Sequence, residues 1–438
     1  MKNYLKKNLT FFIGSLLIIA IIIMSYFCFI STNEQPKNDL VLDDNDLTNM
    51  SYTPNNVEDP YCNYIRTLPK ASNPSQNYIF EQKLEGNGDI YLKNFFVTAL
   101  GNYTIAETTC KNGDMQSEKR TIGVANIDNL GKINKVFELP CSYPNYYITS
   151  QITPLGIVIA STNEDKSYVY INIIDYTLNS YTTNIISYSE KITIKATIAS
   201  FLLIAEYPNE NIIYSYKDEK LQFSGNTSGQ LVDIFEYSNY YIFLLNLPNG
   251  WISTKIDKTT LKTQSSCLTS NYSLIGIIPI LEENQQKFII LQTNGNVYAQ
   301  KESDLNAINS TPTNLGNFTV ANFMMGEDKL LMVCKGNLNG IVYLNYDLTC
   351  EYGDNNAEFF VNNITDNNSL NNTYYYLTIS ESKELSMLIY KEHQTTQTNI
   401  DTCNSNAFLL LQPNKTALIA YQTTNEFHSC INIIGLSI

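Results

Sequence analysis

Residues 231–247 read LVDIFEYSNYYIFLLNL. Two apolar runs stand on either side of Ser238-Asn239, a pair that favours turns. The first run carries Asp233 and Glu236, and the second, from Tyr240, is almost wholly apolar. Neither is long enough for an amphipathic helix, and both are rich in β-branched and aromatic residues, so they read as the two strands of a hairpin. A third run follows and ends in KID at Asp257, after which the chain continues Lys-Thr-Thr-Leu261. An aspartate there suits a strand end, where its carboxylate accepts nearby backbone N–H groups in an Asx-type turn.

The arrangement recurs. Equivalent pairs are FFVTALGNYTIAETT from Phe95, YYITSQITPLGIVIAS from Tyr146, ITIKATIASFLLIAEY from Ile192 and LIGIIPILEENQQKFIILQT from Leu274. Three more are FTVANFMMGEDKLLMVC from Phe318, YYYLTISESKELSMLIY from Tyr374 and AFLLLQPNKTALIAY from Ala407. A third strand ending in aspartate follows most pairs, at Asp128, Asp175, Asp218, Asp257, Asp304, Asp347 and Asp401. Successive spacings are 47, 43, 39, 47, 43 and 54, the last lengthened by the Asn-rich stretch 354–372.

A period near 40–45 residues with four short strands per unit resembles the β-propeller folds. One such sheet has two apolar faces and cannot stand alone, whereas a ring of them buries each face on a neighbour. The last unit stops after CINIIGLSI, residues 430–438, one strand short. NYIFEQKL, residues 77–84, supplies the fourth strand and removes an exposed edge. The expected fold is all-β, an eight-bladed propeller, with seven blades the alternative because the unit at 374–403 is poorly formed. The seven aspartates are expected to be structural turn residues. Side chains at equivalent points of separate blades stand too far apart to share a metal, so no metal or other cofactor is expected.

Ahead of the repeat, Leu9–Ile30 reads LTFFIGSLLIIAIIIMSYFCFI without a charge, after Lys2, Lys6 and Lys7. That length, with positive charge before it, predicts a transmembrane signal-anchor helix over 9–30 with a cytoplasmic tail, residues 1–8. Residues 31–60 are polar and acidic and predict a flexible stalk. Residues 61–438 then form an extracytoplasmic domain: extracellular or lumenal, or periplasmic in a bacterium.

The chain carries 42 acidic against 28 basic residues, a net charge of −14, which excludes a phosphate backbone as partner. Beyond Cys28 there are eight cysteines: Cys62, Cys110, Cys141, Cys267, Cys334, Cys350, Cys403 and Cys430. An even number outside the cytoplasm predicts disulfides, with no pairing assigned. Sequons begin at Asn49, Asn102, Asn226, Asn271, Asn309, Asn317, Asn363, Asn367, Asn371 and Asn414. In a secretory pathway the last nine are candidate glycosylation sites.

The resemblance covers residues 77–438 and stops at the fold. Trp251 is the only tryptophan, so neither a Trp-Asp repeat nor the tryptophan repeats of quinone-type propellers exist here, and no Gly-Gly pair suggests kelch repeats. Arg66 and Arg120 are the only arginines, against the arginine cluster of sialidases. Dipeptidyl-type membrane peptidases pair a propeller with a hydrolase domain carrying G-x-S-x-G, and this chain has no such string. His393 and His428 are the only histidines and read as surface residues. The expected role is a non-enzymatic recognition or adhesion module for a protein or glycan. Two alternatives are a glycan-processing enzyme using paired carboxylates in the central funnel, and a periplasmic assembly scaffold.

Overall fold

A computed structural model describes residues 66–67, 78–85, 88–110, 119–129, 132–139, 146–208, 210–336, 340–352, 364–370, 372–391, 394–412, 415–424 and 429–438. Within them lie eight antiparallel sheets, seven of four strands and one of five. Blade 1 takes Ile90–Thr98, Gly101–Cys110, Lys119–Ile127 and Ile133–Glu138, and blade 2 Tyr146–Thr153, Gly156–Thr162, Tyr168–Ile174 and Tyr181–Ser187. Blade 3 takes Lys191–Ala196, Phe201–Glu206, Asn211–Lys217 and Lys220–Thr227, and blade 4 Gln230–Glu236, Tyr240–Leu247, Gly250–Asp257 and Thr263–Ser270. Blade 5 takes Ser273–Glu282, Gln285–Thr293, Val297–Glu302 and Thr313–Gly316, and blade 6 Thr319–Met325, Lys329–Lys335, Gly340–Asn345 and Cys350–Tyr352. Blade 7 takes Ile364–Leu370, Thr373–Ile379, Glu384–Lys391 and Gln394–Thr402.

Blade 8 closes the ring. Its first three strands are Ala407–Gln412, Thr416–Thr424 and Ser429–Ser437, and its fourth is Tyr78–Glu85, from the other end of the repeat. Tyr78–Glu85 pairs antiparallel with Ser429–Ser437, for example Lys83 with Asn432, and Arg66–Thr67 adds a fifth strand. Both termini of the repeat are thereby hydrogen-bonded into one sheet, and the fold is an eight-bladed β-propeller.

The second strands are apolar and largely buried, and in blades 6 and 8 the third strand is buried at least as fully. Gly156–Thr162 of blade 2 is buried at every residue, Phe201–Glu206 at all but its last, and Tyr240–Leu247 and Lys329–Lys335 through their five central residues. Such a strand is covered by a neighbouring blade on both faces. Leu202 and Ile204 pack with Phe243 and Leu245 of blade 4, while Leu203 and Ala205, one residue out of phase, pack with Val158 and Ala160 of blade 2. First strands run along the centre of the ring and mediate the contacts between neighbouring blades. Six of them carry a β-bulge, including those at Leu92/Asn94, Leu231/Asp233 and Ile364/Asp366. A bulge sharpens the local twist and re-aims the side chains beside it.

Three expectations need correction. First, the stretch 354–372 is not simply an insertion, because it contains the first strand of blade 7, ITDNNSL. The pair starting at Tyr374 is therefore the second and third strands of its blade, and Asp401 lies near the end of the fourth strand, not at the third-to-fourth turn. Second, no disulfide joins Cys334, Cys350, Cys403 or Cys430, and the described residues contain none. Burial explains them: Cys334, Cys403 and Cys430 are enclosed and behave as small apolar side chains. Cys62 and Cys141 lie outside the described residues, as do the side chains of Cys110 and Cys267. Third, no helix among the described residues is long and apolar enough to cross a membrane. The tail 1–8, the segment 9–30 and the stalk 31–60 all lie outside the described residues.

Candidate functional site

Antiparallel order sends the first-to-second and third-to-fourth connections of every blade out of one face of the ring. The second-to-third connections and the links between blades leave from the other. The repeated aspartates other than Asp401 belong to the first face, and Asp401, at the end of a fourth strand, belongs to the other. Asp175 accepts hydrogen bonds from the backbone N–H groups of Thr177 and Ser180 and from both their hydroxyls. Asp257 accepts from the N–H groups of Thr259 and Thr260, at 2.9 and 2.8 Å, and Asp347 from that of Thr349, at 2.9 Å. Asp128 accepts from Lys132 N–H and Asp304 from Asn306 N–H.

These turns have a second element. Leu178 and Leu261 adopt left-handed φ of 55° and 52°, rare for leucine, and both are buried. Their N–H groups bond back to Asp175 and Asp257 carbonyls, and their side chains join the packing between blades. The turn aspartate thus helps hold a leucine plug in the core. Asp218 works differently. With Glu219 it forms the two-residue turn of a hairpin, at φ of 50° and 63°, the backbone twist that tight hairpins need.

Acids are also present on the first strands, where a carboxylate-based enzyme would need them. Asp233 is bonded to Lys195 Nζ at 2.9 Å and to Ile234 N–H at 2.6 Å. Asp366 accepts from Leu409 N–H at 2.6 Å and from Asn367 N–H at 2.8 Å. Burial pushes the Asp366 carboxyl up, and those two bonds pull it down by less. Each of these acids ties its blade to a neighbour, as do Asn94 with Ser150 and Asn322 with Asn367. Glu107 does the same at the junction of blades 1 and 2. It is enclosed, paired with Arg120 at 2.6 Å and Lys93 at 3.4 Å, and accepts from Tyr147 N–H. Among the described residues, no group of three His, Cys, Asp or Glu side chains could hold a metal. His393 and His428 lie outside the described residues.

The sequon asparagines are placed unequally. Asn102 is 1 % exposed and donates to the Asp128 carbonyl and Asn129 Oδ1, a position closed to a glycan. Asn226, Asn271, Asn309 and Asn317 are exposed, and Asn367 is half-buried. Asn363, Asn371 and Asn414 lie outside the described residues, as does Asn49.

Two surfaces have no architectural explanation. On the first face, large apolar side chains stand at the first-hairpin tips of five blades: Leu100, Leu155, Ile198, Leu281 and Met325. Ile198 is 80 % exposed and Leu281 74 %. The first hairpins of blades 4, 5 and 6 also carry Glu236, Glu282, Glu283, Glu327 and Asp328, of which Glu236 is paired with Lys258 and Glu282 with Lys287 and Lys301, and Lys329 and Lys415 stand on the first hairpins of blades 6 and 8. On the opposite face, two cavities of about 640 and 430 Å³ meet at Glu210, beside the junction of blades 3 and 4. Neither surface is marked by a sequence motif. The tips could be found only by knowing which turns share a face, and the cavities only by knowing which strands are neighbours.

No protein-family model matches the chain, and no curated protein sequence matches it. Solved structures do resemble it. BamB from Moraxella catarrhalis is similar over 78 % of this chain and 95 % of its own, at 8 % identity and a TM-score of 0.47. Sqt1 from Saccharomyces cerevisiae is similar over 76 % and 92 %, at 10 % identity and a TM-score of 0.49. The computationally designed Ika8 protein is similar over 81 % and 98 %, also at 10 % identity and 0.49. At these identities the likeness is one of fold.

Proposed function

We propose that the propeller is a non-catalytic protein-interaction scaffold that docks its partner on the face carrying the first-hairpin tips. The observation that carries this reading is the set of exposed apolar tips at Leu100, Leu155, Ile198, Leu281 and Met325, all on one face. Exposed leucine or isoleucine at a single turn is ordinary, but the same feature at five equivalent turns makes a patterned surface. The rigid ring holds these tips without an ordering cost on binding, which favours affinity.

Charge narrows the partner. Beyond the lysine-paired Glu236 and Glu282, the first hairpins carry Glu283, Glu327 and Asp328 against Lys329 and Lys415, and the whole chain is at −14. The partner is then a segment with apolar anchors flanked by lysine or arginine, attracted by the acidic surroundings and held by the tips. The inner-strand acids Asp233 and Asp366 are occupied by their own partners, which favours the scaffold over a glycan-processing enzyme.

The test uses the full chain against synthetic amphipathic peptides, one series basic and one acidic, otherwise matched. Basic peptides should bind the more tightly. Ile198→Ser combined with Leu281→Ser should weaken that binding by about tenfold or more while the unfolding midpoint stays put, since both side chains are exposed. Equal binding of the acidic series, or binding indifferent to the double variant, would refute the assignment.

A further inference from the structure

We infer that the opposite face carries a second site, a cleft at the junction of blades 3 and 4 that binds a neutral oligosaccharide. The cleft consists of the two cavities that share Glu210. The larger lies among Glu206, Tyr207, Gln230, Asn246 and Pro248, and the smaller runs outward between Asn226 and the blade 4 residues Ile252, Thr254, Thr263 and Ser266. Both volumes fall within the ~300–1,000 Å³ range of small-molecule sites, and together they accommodate a ligand longer than one ring.

Two buried polar atoms point to a ligand. Thr254 is 5 % exposed, and its Oγ1 is sealed with no protein group in hydrogen-bonding reach. It lies on the strand Gly250–Asp257 in phase with Ile252 and Ile256, which pack toward blade 3, so its side chain faces the gap. Glu206 Oε1 is likewise sealed and unpartnered, although Oε2 of the same carboxylate pairs with Lys191 at 2.8 Å. Buried polar atoms are nearly always satisfied, because leaving one unmade costs about 1–3 kcal/mol. Glu206 lines the larger cavity and Thr254 the smaller, and one such residue in each of two adjoining cavities is the pattern of a site whose hydrogen bonds are completed by what enters.

The chemistry of the lining selects the ligand. Lys191 balances the Glu206 charge, and Asn226 Nδ2 donates to Glu210 at 2.8 Å, which leaves the Glu210 carboxylate as the one uncompensated charge at the cleft, too little to hold a polycation. That carboxylate repels an anion. An apolar ligand would strand the amides, hydroxyls and carboxylates of the walls. A neutral molecule with many hydroxyls fits: each O–H can donate to Glu206 Oε1 or exchange hydrogen bonds with Thr254 Oγ1. Tyr207, fixed by donating from its hydroxyl to the Ser187 carbonyl at 3.2 Å, offers a flat apolar surface beside them. Asn211 and Asn246 are committed to the backbone, through Gly229 and Leu274, and shape the walls.

The experiment is calorimetric titration of the full chain with malto-, cello-, chito- and xylohexaose, and with cationic chitosan and anionic polygalacturonate hexamers. At least one neutral hexasaccharide should bind with a Kd of about 1 mM or tighter, and more tightly than either charged hexamer. Thr254→Val, nearly isosteric, should weaken it about tenfold, and Glu206→Gln several-fold, since a carboxylate accepts a hydroxyl more strongly than an amide does. Each variant's unfolding midpoint shows that it is folded. The Ile198→Ser, Leu281→Ser double variant should bind saccharide like the parent, which separates this site from the docking face. Failure of every neutral hexasaccharide, tighter binding of a charged one, or affinity unmoved by Thr254→Val would overturn the inference.

Discussion

At the junction of blades 4 and 5, an unbroken line of hydrogen bonds runs through buried side chains. Trp251 Nε1 donates to Gln292 at 3.0 Å, Gln292 to Gln300 at 2.6 Å, and Gln300 to Glu302 at 3.1 Å. Glu302 then accepts the Ser310 N–H and hydroxyl, both at 2.6 Å, and the Asn309 N–H. One junction earlier, Glu206 Oε1 and Thr254 Oγ1 are equally sealed and have no protein partner. The two places share a backbone plan and differ in that the fold completes the line from Trp251 to Glu302, although Ser253 Oγ, in phase with Trp251 on the same strand, is also sealed and unpartnered and lines neither cavity. Where it does, the groups specify how two blades register. Where it does not, and a cavity opens beside them, they serve something outside the fold.

The comparison breaks most readily at Glu302. One carboxylate oxygen there receives four donors, so Glu302→Ala would leave the Gln300 amide, two backbone N–H groups and a hydroxyl to be satisfied anew. A loss of about 3 kcal/mol or more in unfolding free energy is expected, read from a urea titration. A change below about 1 kcal/mol would mean the line is ornamental. Gln292→Leu tests the middle of the line with little change of volume. It removes the acceptor of the Trp251 indole and the donor to Gln300, and should cost about 2 kcal/mol.

How much of this was legible in the sequence follows the same division. The repeat, the eight blades and the closing strand Tyr78–Glu85 could be read because apolar second strands recur with fixed turns between them. Blade 7 was out of phase because its first strand, Ile364–Leu370, holds Asp366, Asn367 and Asn368. A strand at the centre of the ring, satisfied by its neighbours' side chains, need not be apolar, and so it passed for an insertion. The cysteines misled because their number suggested pairing, whereas burial among apolar neighbours is what placed Cys334 and Cys403. Asp175 and Asp257 could be read as turn formers because every backbone donor they use lies within five residues. Glu206 and Thr254 could not, since a missing partner is visible only when strands of two blades are set side by side.

Asp175 sharpens the comparison with a group satisfied by its own turn. Burial pushes its carboxyl up, but hydrogen bonds from Ser180, Thr177 and Asn179 outweigh that and hold it below the usual range. A carboxyl depressed in the folded state contributes stability that is present above its unfolded value, about 4, and lost as the pH falls through the lower folded value. The site is partly open to water, so the contribution at neutral pH is under about 1 kcal/mol after screening. Asp175→Asn should therefore be slightly less stable than the parent at pH 7, and the gap should close on acidification below pH ~4. A gap that persists unchanged into acid would assign the loss to turn geometry and not to charge.

The smallest effect is expected at Thr254, and its sign carries the argument. Deleting a hydroxyl that has a protein partner leaves that partner unsatisfied and destabilises the fold. The Thr254 hydroxyl has none, so Thr254→Val strands nothing and exchanges a sealed polar atom for a methyl group of similar size. The unfolding free energy should stay within about 0.5 kcal/mol of the parent or rise above it. Gln292→Leu makes a comparable exchange of polar for apolar atoms one junction away and should fall by about 2 kcal/mol. If the two variants lose equally, Thr254 belongs to the architecture of the ring and the contrast between the junctions disappears. If only Gln292→Leu loses, an unpaired hydroxyl is being kept at a place where stability does not ask for it, and saccharide binding is where its effect should be sought.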